Sequence, residues 1–296
     1  MHITVNGLDY YVEDEGQGEP LLLLHGFTGS VRSWDEVASR LSADYRILRV
    51  DLPGHGRTAF ASALDRYSMA ATTRDLATIL TERRAAPAHV LGYSMGGRLA
   101  FGFGLAYPAQ VRSLIIESGS PGLATEAERT ARRASDEALA SQIEREGIQA
   151  FVTMWERLPL WQSQACLPLD IRRKQREIRI GNNSEGLAYS LRSLGTGAQP
   201  SLWTALATIH IPTLLITGAL DPRFTTIAYQ MRAQIGEAIL NIIPDAGHTT
   251  HLEQPDPFIT SVKQFLQHTQ TVTPTANPTV LPPQSPSQPP QVSRPK

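Results

Sequence analysis

Val90–Phe101 reads VLGYSMGGRLAF, and the reading of its serine decides the fold. Gly92-Tyr93-Ser94-Met95-Gly96 fits the pattern G-x-S-x-G. That pattern also arises by chance, so its surroundings carry the weight. His89–Gly92 reads as a strand and Leu99–Tyr107 as a helix, so the serine falls on a strand-to-helix turn. That is where a nucleophile elbow belongs. The glycines permit the sharp turn and leave the hydroxyl exposed at the strand's carboxyl end.

Working outward, strands and helices alternate. Asn6-Gly7 marks a hairpin turn, Leu21–Leu24 reads as a buried strand ending in His25-Gly26, and Tyr45–Val50 as a strand running into DLPGHG. Helical spacing covers Val31–Leu41 and Met69–Leu80, and Val111–Ile116 is a further strand. The rhythm predicts an α/β fold, a mostly parallel sheet flanked by helices. Residues 1–119 form the first part of this core. From 120 to 205 the alternation gives way to arginine-rich helical patterns, broken at Gly147, Pro159, Pro168 and Gly181, which predict a helical cap insert. Residues 206–268 resume the core, with a strand in TLLITGALD, a helix over Ile227–Ile235, a strand over Ala238–Ile243 and a last helix over Pro257–Gln267. Residues 269–296 are expected to be a disordered proline-rich tail, since 271–296 hold eight of the 21 prolines and no aromatic or acidic residue. The pairs Pro282-Pro283 and Pro289-Pro290 suit an extended segment, and they name no partner.

A net charge of −1 gives no general attraction to nucleic acid or acidic membranes. The lone cysteine, Cys166, excludes an internal disulfide and a cysteine zinc cage. No run approaches the ~20 apolar residues of a membrane span, and no basic-then-apolar leader opens the chain. These features predict a soluble, cytoplasmic protein. No dinucleotide fingerprint or metal-ligand cluster is visible, so no cofactor is expected.

A serine hydroxyl needs a histidine to take its proton and a carboxylate to fix the imidazole tautomer. His248, in PDAGH, lies in a loop at the same sheet edge as Ser94. His251 reads instead as a loop histidine bonded to backbone, and His25 as a brace for its own loop. Asp221, in GALDP, follows a strand and completes the order Ser, Asp, His. A turn aspartate before Pro222 is its plainer reading, and Glu117 is the alternative acid. The backbone amides of Phe27 and Met95 are the expected oxyanion donors. Arg98 lies four residues after Ser94 and so shares its helical face. A cation there opposes the helix dipole. Either a surface ion pair offsets that cost, or Arg98 holds a substrate carboxylate beside the serine.

Together these features resemble the α/β-hydrolase superfamily over residues 3–268. More narrowly, GYSMGGR, then ESGSPGL leading into an AER helix, then F-x-x-x-W at Phe151–Trp155, then IRIGNNSEGLAYSL resemble the 2-succinyl-6-hydroxy-2,4-cyclohexadiene-1-carboxylate synthases of menaquinone and phylloquinone biosynthesis. The resemblance implies a lyase that eliminates pyruvate from 2-succinyl-5-enolpyruvyl-6-hydroxy-3-cyclohexene-1-carboxylate. It implies Ser94, Asp221 and His248 as the triad and a polycarboxylate substrate bound by Tyr93, Arg98, Arg129, Trp155 and Arg179, with Arg132 and Arg133 as further cap arginines. Ala124 departs from the family, where an amide side chain can occur. Two rivals stay open: a carboxylesterase or carbon–carbon bond hydrolase using the same triad covalently, and a non-catalytic receptor for a small acid.

Overall fold

The structure, a computed structural model, describes residues 1–271. The apolar run Leu21–Leu24 shows why the sheet is buried on both sides. Leu22 and Leu24 point into one core and Leu21 and Leu23 into the other, all four fully buried. A strand covered on both faces needs no polar alternation. The same division repeats at Val90 and Leu91, at Leu114 and Ile115, and at Leu215 and Ile216.

Eight strands form one sheet in the order β1-β2-β4-β3-β5-β6-β7-β8. They are β1 (His2–Val5), β2 (Leu8–Glu15), β3 (Glu19–Leu24), β4 (Tyr45–Val50), β5 (Ala88–Tyr93), β6 (Val111–Glu117), β7 (Thr213–Gly218) and β8 (Ile239–Ile243). β1 and β2 make the antiparallel hairpin at Asn6-Gly7, and β2 joins β4 antiparallel. Every later pairing is parallel. Around the sheet lie α1 (Asp35–Leu41), α2 (Met69–Glu82), α3 (Met95–Ala106), α7 (Pro222–Arg232), α8 (Thr250–Glu253) and α9 (Pro255–Thr271). Between β6 and β7 come α4 (Glu126–Trp155), α5 (Leu169–Ile180) and α6 (Ser184–Leu194), with a 3-10 segment at Pro159–Cys166. α4 is broken at Gly147, which sits at φ 78° where glycine carries no Cβ penalty. Ala140, Ile143, Phe151, Val152, Leu187, Ala188 and Leu191 give this insert its own apolar centre.

Several boundaries differ from expectation, and α1 begins at Asp35, after a 3-10 turn over Val31–Trp34, rather than at Val31. α3 begins at Met95 rather than Leu99 because Gly96 and Gly97 allow close packing instead of breaking the helix: a Cβ on Gly96 would lie 2.0 Å from the Leu24 carbonyl oxygen. α7 begins at Pro222 rather than Ile227, since the Asp221 side chain accepts a hydrogen bond from the Phe224 amide and proline suits the first helical position. α9 continues to Thr271, so 269–271 are helical rather than tail. The remaining tail, 272–296, with its proline pairs, lies outside the described residues.

Candidate active site

β5 delivers Ser94 at its carboxyl end, and the turn into α3 holds it at φ 51°, ψ −104°. Such a conformation costs of order 1–3 kcal/mol unless the surroundings enforce it. Here they do: the Ser94 amide donates to the Glu117 carbonyl oxygen at 2.8 Å, and the Ser94 carbonyl oxygen accepts from the Arg98 amide at 3.1 Å. A Cβ on Gly92 would fall 2.2 Å from the Gly96 carbonyl oxygen, so the turn closes only with glycine. The hydroxyl lines a cavity of about 200 Å³ between core and cap.

His248 Nε2 lies 3.1 Å from Ser94 Oγ, and its Nδ1 lies 2.8 Å from Asp221 Oδ2. The carboxylate can only accept, so Nδ1 carries the proton and Nε2 is left to accept from the serine. Phe224, Tyr93 and Trp161 surround the ring, with centroids 4.5, 5.5 and 5.9 Å away. Asp221 thus does both things the sequence offered it: Oδ1 caps α7 at 3.1 Å while Oδ2 holds the imidazole. Glu117, the alternative acid, is engaged elsewhere. It accepts from His251 Nδ1 at 2.7 Å, the His251 amide at 2.9 Å and Thr250 Oγ1 at 2.7 Å. His251 is therefore held by a buried carboxylate rather than by a backbone group.

Phe27 and Met95 both line the cavity, and neither amide has a hydrogen-bond partner among the described residues. The loop carrying Phe27 is fixed from two sides. The Leu52 amide donates to His25 Nε2 at 3.0 Å, so His25 Nδ1 is the donor to the Gly26 carbonyl oxygen at 2.8 Å. Burial pushes His25 down to about 3, with His55 adding to the effect, so this brace is neutral. From the cap, Asn182 Nδ2 donates to the Thr28 carbonyl oxygen at 2.8 Å, while its Oδ1 accepts from the Gly56 amide at 2.9 Å. Asn182 was overlooked in the sequence; its signal was the IRIGNN stretch itself.

The cavity lining is cationic. Arg98, Arg132 and Arg223 line it, and among the described residues no aspartate or glutamate does. Arg98 is buried, its Nη1 donating to the Leu194 carbonyl oxygen at 2.8 Å and to Gln199 Oε1. Burial lowers its guanidinium to about 10, Arg132 adding to the effect and Asp136 opposing it. It stays charged at neutral pH. Among the described residues no surface ion pair offsets its place in the first turns of α3. Arg223, not singled out from the sequence, shows the same anomaly in the first turn of α7. Tyr93 is buried with its hydroxyl 2.8 Å from Thr249 Oγ1, and burial pushes its phenol well up, so it stays protonated. Trp155 lines the cavity, as does Trp161; each has a buried indole N–H without a partner among the described residues.

One expected contact is corrected. Arg129 does not line the cavity: it donates to Glu126 Oε2 at 2.7 and 2.9 Å and to the Leu123 carbonyl oxygen at 3.2 Å, closing the start of α4. Arg132, three residues on, takes the cavity-facing position and pairs with Asp136 at 2.7 Å. Arg133 instead reaches Glu126 at 2.6 Å and the Gly197 carbonyl oxygen at 3.1 Å. Arg179 lies beside the cavity, lining a small adjoining pocket with Phe27, Tyr93 and Trp161, all three of which also line the Ser94 cavity. It donates to Glu156 at 3.0 Å, and its guanidinium lies 5.1 Å from the Trp161 ring centroid. Among the described residues no group of three or more His, Cys, Asp or Glu is placed to hold a metal ion.

Known proteins resemble this chain in sequence and fold. A family model described as alpha/beta hydrolase fold matches residues 19–255. A Bacillus subtilis (strain 168) protein, provisionally named 2-succinyl-6-hydroxy-2,4-cyclohexadiene-1-carboxylate synthase, is 43% identical over 269 residues, covering 90% of this chain and 98% of its own. A synthase of that name from Enterobacter sp. (strain 638) is 33% identical, over 83% of this chain and 91% of its own. The solved structure of MenH from S. aureus superposes with a TM-score of 0.84 at 34% identity, covering 88% of this chain and 98% of that one. The chain belongs to the α/β hydrolase fold family and, within it, to the 2-succinyl-6-hydroxy-2,4-cyclohexadiene-1-carboxylate synthases.

Proposed function

We propose that the chain eliminates pyruvate from 2-succinyl-5-enolpyruvyl-6-hydroxy-3-cyclohexene-1-carboxylate, with Ser94, His248 and Asp221 acting together as the base. Ser94 Oγ removes a ring proton as its own proton passes to His248 Nε2. The ring carbon–carbon double bond forms, the carbon–oxygen bond to the enolpyruvyl group breaks, and the leaving enolate takes up a proton as pyruvate. No acyl-enzyme forms and no water is consumed. Asp221 keeps the imidazole in the accepting tautomer and stabilises its cation.

One observation supports this reading above the others: the serine shares its cavity with three arginines and, among the described residues, with no acidic one. A simple ester brings no charge to match Arg98 and Arg223, which have no ion-pair partner among the described residues, whereas a substrate with several carboxylates does. Arg98 and Arg132 are the contacts we assign to carboxylates, each bidentate pair contributing roughly 1.5–3 kcal/mol. The Phe27 and Met95 amides suit negative charge developing on a carboxylate oxygen. Tyr93 and Trp155 shape the space around it.

We place the reaction in the cytoplasm, as a step of menaquinone or phylloquinone synthesis. No helix among the described residues is long and apolar enough to cross a membrane, and a lone exposed Cys166 suits a reducing compartment.

Pyruvate release coupled to NADH oxidation tests the assignment. Wild type is expected to exceed the spontaneous rate clearly. Ser94→Ala should lose about 10²- to 10⁴-fold in turnover, and Arg98→Ala should weaken binding and turnover together. Full activity in Ser94→Ala overturns the mechanism. Absence of release by wild type, with a stoichiometric burst from an activated aryl ester, transfers the triad to hydrolysis.

A further inference from the structure

A larger hollow, about 660 Å³, opens on the other side of Trp161. Its walls come from α5, from the 3-10 segment Pro159–Cys166 and from the turn at the end of α4. α5 supplies Arg172, Arg173, Arg176 and Arg179, a spacing that gathers them on one helical face. Arg157 joins them from the end of α4. Five guanidinium groups therefore share one hollow with a single carboxylate, Glu156, which already bonds Arg176 and Arg179. The acidic residues of α5, Asp170 and Glu177, do not line it. Arg157, Arg172 and Arg173 are exposed and form no side-chain hydrogen bond or ion pair among the described residues.

Uncompensated like charges in a concave site raise the local concentration of anions. Guanidinium forks match carboxylates bidentately. The remaining walls are not those of a site for a bare ion: Leu158, Leu167, Leu169 and Trp161 are apolar. The hollow is in the size range of small-molecule sites. A compact organic acid with several carboxylates on an apolar body fits both sets of walls. The hollow is also coupled to the chemistry. Trp161 belongs to both cavities, and its ring centroid is 5.9 Å from that of His248.

We propose that this hollow is a second polycarboxylate-binding site, separate from the Ser94 cavity, which collects substrate on the outer side of the cap before it enters. The site rests on the arginines; only the identity of its ligand rests on the reaction assigned above.

Calorimetric titration with citrate at constant ionic strength tests the site without turnover. Arg98→Ala, which cripples the inner cavity, is expected to keep a saturable citrate response, and Arg172→Ala/Arg173→Ala added to it should abolish that response. A response abolished by Arg98→Ala alone, or unchanged by the double substitution, overturns the proposal. Both α5 residues are exposed, and circular dichroism verifies that the variants fold. For capture of substrate, the double variant should show kcat/KM for pyruvate release lowered about 3- to 10-fold at low ionic strength, with the deficit shrinking as salt is added. An undiminished kcat/KM refutes capture. Failure of wild type to release pyruvate removes the reaction while the citrate result still decides the site.

Discussion

Glu117 Oε2 lies 2.7 Å from His251 Nδ1, a second buried acid–histidine pair beside the triad. The two pairs invite confusion, and their geometry separates them. Asp221 reaches a histidine that touches Ser94; Glu117 reaches one that packs against Trp34, with centroids 4.5 Å apart. Asp221→Asn should cut pyruvate release about 10²- to 10⁴-fold with the fold intact, because the tautomer is no longer fixed. Glu117→Gln should leave release from the folded fraction close to wild type yet cost about 1–3 kcal/mol in urea unfolding, because buried donors lose their carboxylate acceptor. A turnover defect confined to Glu117→Gln reverses the two roles.

The cap arginines divide in the same way. Arg132→Ala should raise KM for pyruvate release several-fold. Arg129→Ala breaks a contact with exposed Glu126, a surface pair screened by solvent, and should leave KM unchanged. Steady-state kinetics of the two variants at matched ionic strength checks this. Equal KM effects would mean that α4 presents a different face to the substrate.

Two glycines of α3 should respond unequally to alanine. In Gly96→Ala the new Cβ would meet the Leu24 carbonyl oxygen at 2.0 Å, and backbone cannot yield there. Loss of soluble folded protein, or of all pyruvate release, is expected. In Gly102→Ala the obstacle is the Met69 side chain, 2.7 Å away at its sulfur. Overpacking of about 1–3 kcal/mol is then offset by about 1 kcal/mol of helix propensity, so thermal melting should shift only modestly.

The histidine loop sets the acid limit of the fold. Burial lowers His25 to about 3 and His55 to about 4, and raises Asp51 to about 6. Between about pH 4 and 6, unfolding lets both histidines take up a proton, since the free imidazole titrates near 6.5, while Asp51 gives one up. The net uptake of one proton makes stability fall by about 1.4 kcal/mol per unit as pH drops through that window. His55→Gln leaves one uptake against one release and should flatten the slope. Urea unfolding near pH 6, 5 and 4 measures it, and an unchanged slope in the variant would falsify this account.

Much of the fold and of the hydrogen-bonded chain Ser94–His248–Asp221 was legible because short-range rules determine them. Leu21–Leu24 announces a two-sided strand, and Gly92-x-Ser94-x-Gly96 announces a turn only glycine can close. Asp221 was legible as a triad acid and as a turn residue, and both readings describe the same side chain. The cap contacts were less legible because they depend on which way a helix faces. Arg129 and Arg132 differ by three residues, and nothing local says that Glu126 engages the first. Arg179 and Asn182 sit in one stretch yet serve different layers, one behind Trp161 and one under Thr28. α8 is a single turn, too short for periodicity to mark, and Arg223 shows only through a charge misplaced at a helix start.

Asp221 joins a helix start to a proton acceptor through the two oxygens of one carboxylate. The first turn of α7 cannot fray without loosening the imidazole, so secondary structure and reactivity share a single mechanical fastening. Opening that one turn is enough to free the imidazole, whatever the state of the sheet beneath it.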